Sequence, residues 1–140
     1  MEHNFEQLTK IFNLSAKYYS RKKIGHATRV AEYAAIRAEE IHLNSTRAYM
    51  IGLAHDLLED TECPEEELVA AIGETNYNSV ILLTKSNEQE YEDYIRKIVE
   101  SKDSYAFIVK QADMKDHMTL SNTLTEKLLN KYAPVLHYFL

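Results

Sequence analysis

The sequence predicts an all-α fold, a single bundle of about six to eight helices, because its apolar residues recur at helical and not alternating spacing. Two further observations agree: only three glycines and two prolines interrupt 140 residues, and no internal repeat, linker or low-complexity stretch divides them. The length suits one domain, residues 1–140, with its own core.

The first helix is expected from Phe5 to Tyr19, with Leu8, Ile11, Phe12, Ser15 and Tyr19 along one stripe. A basic turn follows at Arg21, Lys22 and Lys23. The second helix is expected from Gly25 to Ile41, with His26 at its start. It buries Ala27, Val30, Ala31, Ala34, Ala35 and Ala38, small residues that let another helix come close. Asn44 or Ser45 can cap a third helix by accepting a hydrogen bond from an orphan backbone N–H. That helix runs through Tyr49, Ile51, Leu53, Ala54 and Leu57 to Asp60, and is apolar almost all round, which places it centrally. Pro64 fits the first position of a short helix, with Glu65, Glu66 and Glu67 at the end where the helix dipole favours negative charge. Gly73 ends it. Further helices are expected over 76–85, 88–101, 103–121 and 124–131, the third of these carrying Phe107, Ile108, Ala112 and Met114.

Composition narrows the function classes. Net charge is −6, from 16 Lys and Arg against 22 Asp and Glu, which argues against a duplex nucleic-acid binder but leaves room for a small phosphorylated ligand held by local cations. Cys63 is the only cysteine, so an internal disulfide and a thiolate zinc cluster are both excluded. No stretch approaches the roughly 18 apolar residues of a membrane span, and Met1 to Lys10 has no apolar core. A cytoplasmic protein is expected, monomer or homodimer, with no membrane partner.

The informative segment is Ala54-His55-Asp56-Leu57-Leu58-Glu59-Asp60-Thr61. On a continuous helix, residues three and four apart share a face, so His55, Asp56, Glu59 and Asp60 would line adjoining strips. Ionised carboxylates among apolar residues need a cation or a metal to offset lost hydration. Imidazole and carboxylate ligands suit Mn, Fe, Zn or Co better than Ca. His55 and Asp56 alone make an incomplete shell. His26 and Asp113, the latter in the frame Val109-Lys110-Gln111-Ala112-Asp113-Met114, can complete it. Taken singly, His26 also reads as a capping or surface histidine, and Asp113 as a solvated or capping carboxylate.

The pattern His26, then His55-Asp56, then Asp113 resembles the HD-domain phosphohydrolases, in which a histidine, a His-Asp pair and a distant aspartate surround one metal. His55 to Thr61 further resembles the His-Asp-x-x-Glu-Asp-Thr signature of RelA/SpoT-type alarmone hydrolase domains. Val80 to Lys85, ending Leu-Thr-Lys, Val109 to Asp113, and His26 with Val30-Ala31 resemble three flanking features of those enzymes in the same order. The resemblance spans residues 21–120. It implies one divalent ion, Mn as the usual metal with Fe, Zn, Co or Mg as alternatives, and a small phosphorylated nucleotide as partner. The implied reaction is removal of the 3′-pyrophosphate of guanosine tetra- or pentaphosphate, with another HD-type nucleotidase or phosphatase on a different nucleotide, or a non-catalytic nucleotide sensor, as the alternatives. Glu59 and Asp60 match the catalytic acidic pair that manages protons outside the metal shell. Two segments depart from the pattern: Lys22-Lys23-Ile24-Gly25 lacks the Pro-Tyr that precedes the first histidine, and Met114-Lys115-Asp116-His117 replaces Arg-Leu-His-Asn, whose asparagine contacts the nucleotide. Arg21 and Lys22, with Lys23 and Lys85 behind them, are candidate phosphate-binding cations. His117, one turn beyond Asp113, is a candidate for substrate contact.

Overall fold

A computed structural model of the protein describes residues 2–119 and 124–140. Among them it contains α1 (Glu2–Tyr18), α2 (Arg21–Glu40), α3 (Ser45–Ala54), α4 (Leu57–Asp60), α5 (Glu65–Ile72), α6 (Glu74–Leu83), α7 (Tyr91–Ser101), α8 (Ser104–Thr119) and α9 (Glu126–Tyr132), closed by a 3₁₀ segment (Ala133–Phe139). No strand occurs among the described residues, and the all-α expectation holds. The expected end of the long penultimate helix at Ser121 lies outside the described residues.

As its composition predicted, α3 is central: Met50, Ile51, Gly52, Leu53 and Ala54 are buried, and it packs against α1, α2, α6 and α8. The closest approach is between α2 and α3. There a Cβ on Gly52 would lie 2.8 Å from the Cα of Ala31, so the absence of a side chain at 52 is what lets the two backbones meet. Ala27, Val30, Ala31 and Ala34, all buried, supply the matching shallow face of α2.

Of the boundaries that differ from expectation, two bear on function. The basic residues 21–23 are not a turn but the first turn of α2, so His26 sits one turn inside the helix. The Ser20 side chain caps it, accepting from the Lys23 N–H at 3.2 Å. Second, the helix expected to continue to Asp60 breaks at His55-Asp56. The Gly52 carbonyl, which a continuing helix would offer to Asp56, accepts instead from the His55 side-chain Nδ1 at 2.6 Å. The displaced Asp56 N–H donates to the Tyr19 hydroxyl at 3.3 Å, and that hydroxyl donates to the Leu53 carbonyl at 2.6 Å. Tyr19 thus satisfies both backbone groups at the break.

Candidate metal centre

Neighbours on a regular helix point about 100° apart, so His55 and Asp56 reach one centre from adjoining strips, and the helix is distorted at the pair itself, where Asp56 has φ −102° and ψ 1°. His26 arrives from α2 across the Gly52 crossing and Asp113 from α8. Each of the four offers a ligand atom within 4.8 Å of the others, and all four are buried. The His26 Nε2 lies 2.8 Å from Asp113 Oδ1 and 3.8 Å from Asp56 Oδ2. The His55 Nε2 lies 3.2 Å from Asp56 Oδ2 and 3.4 Å from Asp113 Oδ1.

The four residues fit a divalent cation. Although two carboxylates are close, the buried His55 Nε2 makes no hydrogen bond; it is aimed between them, where a shared cation would sit. Its other nitrogen is held by the Gly52 carbonyl, and the His26 Nδ1 is held by Asp116 Oδ2 at 2.7 Å. Both imidazoles therefore present Nε2 inward, the arrangement in which an outer hydrogen bond fixes the orientation of a metal-binding histidine. With the site free of metal, burial lowers the His55 pKa, but the Asp56 and Asp113 carboxylates outweigh it and raise it to about 10. Burial pushes Asp56 up, yet His55 and Lys23 hold its carboxyl well below the usual range. Asp113 is likewise held far down against its burial, chiefly by Lys110 and then by His26 and His55.

Glu59 and Asp60 stand beside this set on α4, and a second group of possible ligand atoms joins them to Asp56. Of the four ionisable residues expected on one buried face, only His55 and Asp56 are buried; Glu59 and Asp60 are exposed. Glu59 Oε1 accepts the Lys85 backbone N–H at 2.7 Å. Partial desolvation raises the Glu59 pKa, Asp56 and Asp60 add to the rise, and the Lys85 N–H opposes it.

A cavity of about 280 Å³ opens next to His26 between α2 and α8, lined by Lys22, Lys23, Arg29 and His117 among others. Of the two candidate phosphate-binding cations, Lys22 lines this cavity and Arg21 does not. Lys23 reaches past it, donating to Asp56 Oδ2 at 3.0 Å and pairing with Asp60 Oδ2 at 2.8 Å. His117 stacks on His26 with ring centroids 4.4 Å apart and 12° between planes, and its Nδ1 lies 2.7 Å from the Tyr132 hydroxyl. Tyr94 is buried and donates to the Leu83 carbonyl at 2.6 Å; it belongs to the core. The Lys85 ammonium donates to the Ser86 carbonyl at 3.0 Å.

Three residues that sequence reasoning did not single out complete the site. Lys110, buried, donates to Asp113 Oδ2 at 2.8 Å. Asp116, also buried, holds His26 and accepts from Arg29 Nε at 2.7 Å. Each lies three residues from a proposed ligand on the same helix: Lys110 and Asp116 flank Asp113, and Arg29 follows His26. One helical turn from a ligand was the signal available.

No curated protein matches the chain. The HD domain family matches residues 24–118, a span that begins just before His26 and ends just after His117. Covering well over half of the 140 residues and enclosing the whole buried His and Asp cluster, this match shows that the chain belongs to the HD-domain family, whose members are generally metal-dependent hydrolases of the phosphohydrolase type.

Proposed function

We propose that the chain is a metal-dependent phosphohydrolase of a small phosphorylated nucleotide, with guanosine 3′,5′-bis(diphosphate), cleaved at its 3′-pyrophosphate, as the first substrate to test. The observation that carries the metal-dependent part is the buried His55 Nε2 without a hydrogen bond, aimed between Asp56 and Asp113. His26, His55, Asp56 and Asp113 would hold one ion, Mn being the first choice from the alarmone-enzyme resemblance. When bound, a divalent ion supplies Lewis acidity toward a phosphoryl oxygen and makes nearby water more acidic.

The chain's own groups account for the remaining chemistry. Hydrolysis adds water to phosphorus and breaks a P–O bond, so one proton must leave the water and one must reach the departing oxygen. Glu59, with one oxygen anchored by the Lys85 N–H, keeps its second oxygen to accept the proton from water. Its raised pKa brings it nearer the operating pH than an ordinary carboxylate, which makes proton exchange more efficient. Asp60 is fixed by Lys23 beside the same metal ligand, and the Lys23 ammonium ties the proton-handling pair to Asp56. The closed ring of partners around His26 and His55 fixes geometry in advance, which is the main contribution a protein makes to phosphoryl transfer.

A second substrate reading has its own support. His117 stands at the place where the alarmone enzymes have a nucleotide-contacting asparagine, and it is engaged with Tyr132 and His26. That favours a different phosphorylated nucleotide within the same chemistry. Both readings are tested by adding Mn to metal-stripped protein with guanosine tetraphosphate, separating pyrophosphate from phosphate, with Asp56→Ala and Glu59→Ala alongside. Pyrophosphate release lost in both variants supports the alarmone substrate; Mn binding without turnover rejects that substrate and leaves a nucleotide panel; absence of Mn binding refutes the metal site.

A further inference from the structure

We infer that the cavity between α2 and α8 is a subsite for a second oxyanion of phosphate class, carried by the substrate away from the bond that breaks, and that Arg29 and Lys22 bind it. The inference rests on the phosphohydrolase reading. At about 280 Å³ the cavity is near the lower end of the about 300–1,000 Å³ typical of small-molecule sites. It takes one charged arm of a ligand, not a whole nucleotide.

The charge around it runs against that of the chain. In a protein of net charge −6, the cavity gathers Lys22, Lys23 and Arg29 around a single carboxylate, Asp116. That carboxylate is already satisfied: Oδ1 accepts from Arg29 Nε, and Oδ2 accepts from Arg29 Nη2 at 3.2 Å and faces His26 Nδ1. Lys23 is committed to Asp56 and Asp60. Lys22 makes no hydrogen bond or ion pair among the described residues, and neither does the Nη1 of Arg29, so these two cations are left for a ligand.

Arg29 is also held in place. Asp116, buried, grips one edge of the guanidinium, and a Cβ on Gly25 would lie 3.3 Å from Nη1, so the bare backbone at 25 leaves that nitrogen its room. A planar fork fixed in advance suits a phosphate oxyanion and loses little freedom on binding. His26 forms the inner wall, so the subsite adjoins the metal set; Glu59 and Asp60 do not line it. Different residues therefore handle the reacting and the non-reacting ends of the substrate.

The test uses metal-stripped full-length protein, so that neither metal binding nor turnover enters. Adenosine 3′,5′-bisphosphate, adenosine 5′-monophosphate and inorganic phosphate are titrated by calorimetry into wild type, Lys22→Met, Arg29→Gln and Arg29→Lys. The expected result is a preference of about tenfold for the bisphosphate over the monophosphate, reduced several-fold in Lys22→Met and Arg29→Gln and only partly retained in Arg29→Lys, which keeps the charge but not the fork. Lys22 touches nothing in the metal set, so its variant remains decisive if Arg29→Gln disturbs Asp116. Equal binding of the two nucleotides by wild type, or a preference undiminished in Lys22→Met, overturns the subsite. Inorganic phosphate binding as tightly as the bisphosphate overturns the assignment to a substrate arm.

Discussion

Metal binding should depend steeply on pH, because in the metal-free site a proton occupies the place of the ion. His55 is buried with its Nε2 between Asp56 and Asp113, and those carboxylates hold its pKa up at about 10. Asp56 and Asp113 stay ionised throughout the neutral range, so the proton on His55 is the one a cation must displace. A raised pKa means the proton is kept until high pH, and affinity must therefore rise with pH. Below a pKa of about 10 each unit of pH changes the dissociation constant about tenfold, giving about 100-fold tighter binding at pH 8 than at pH 6. A histidine with the ordinary pKa near 6.5 would give only about fourfold over the same interval. Competition with a fluorescent chelator calibrated at each pH measures the constant, and calorimetry in buffers of different ionisation heat counts the proton released. A change of less than about fivefold between pH 6 and 8 would refute the proposed protonation of the empty site. The same proton stabilises the metal-free fold: its contribution is complete below the unfolded-state pKa near 6.5 and is lost as pH rises toward about 10. Urea midpoints of the stripped protein should fall across that window, and those of the loaded protein should not.

Asp116→Asn keeps the shape but weakens the hold on His26 Nδ1, and divalent-ion affinity should drop by about 10- to 100-fold with the helical circular dichroism unchanged. Lys110→Met leaves a buried carboxylate without its ammonium; the metal-free protein should lose about 3–5 kcal/mol in denaturant titration, partly restored by added metal. Gly52→Ala forces a methyl against the Ala31 backbone, so a loss of about 1–3 kcal/mol and a lower melting temperature are expected, together with weaker metal binding. Glu59→Gln should abolish turnover while leaving the metal affinity within about twofold, since Glu59 is outside the proposed ligand set; unchanged turnover would remove it from the chemistry.

The proposed ligands were legible because their chemistry conflicts with their neighbourhood. Asp113 among Val109, Ala112 and Met114, and His55-Asp56 after Leu53-Ala54, are polar groups in apolar frames, and such positions need a partner. What escaped notice has local causes. The run Leu53, Ala54, Leu57 continues helical periodicity straight through the break, which depends on a side chain, His55 Nδ1, taking a backbone acceptor. The start of α2 at Arg21 was obscured because three cations oppose the helix dipole at an N-terminus. Lys23 offsets that by pairing with Asp56 and Asp60, residues more than thirty positions away. Lys110 and Arg29 read as ordinary surface cations until the fold supplies Asp113 and Asp116.

The pairing of charges at the centre has a consequence for how the protein matures. Asp56 has Lys23, Asp113 has Lys110 and Asp116 has Arg29, so each buried carboxylate among the described residues has its own cation without a metal. A chain built this way does not wait for its metal to fold, as a zinc finger does. Such a chain is expected to fold first around its internal counter-charges and to take up metal afterwards, so metal-stripped protein should keep its helical circular dichroism and regain metal on simple addition.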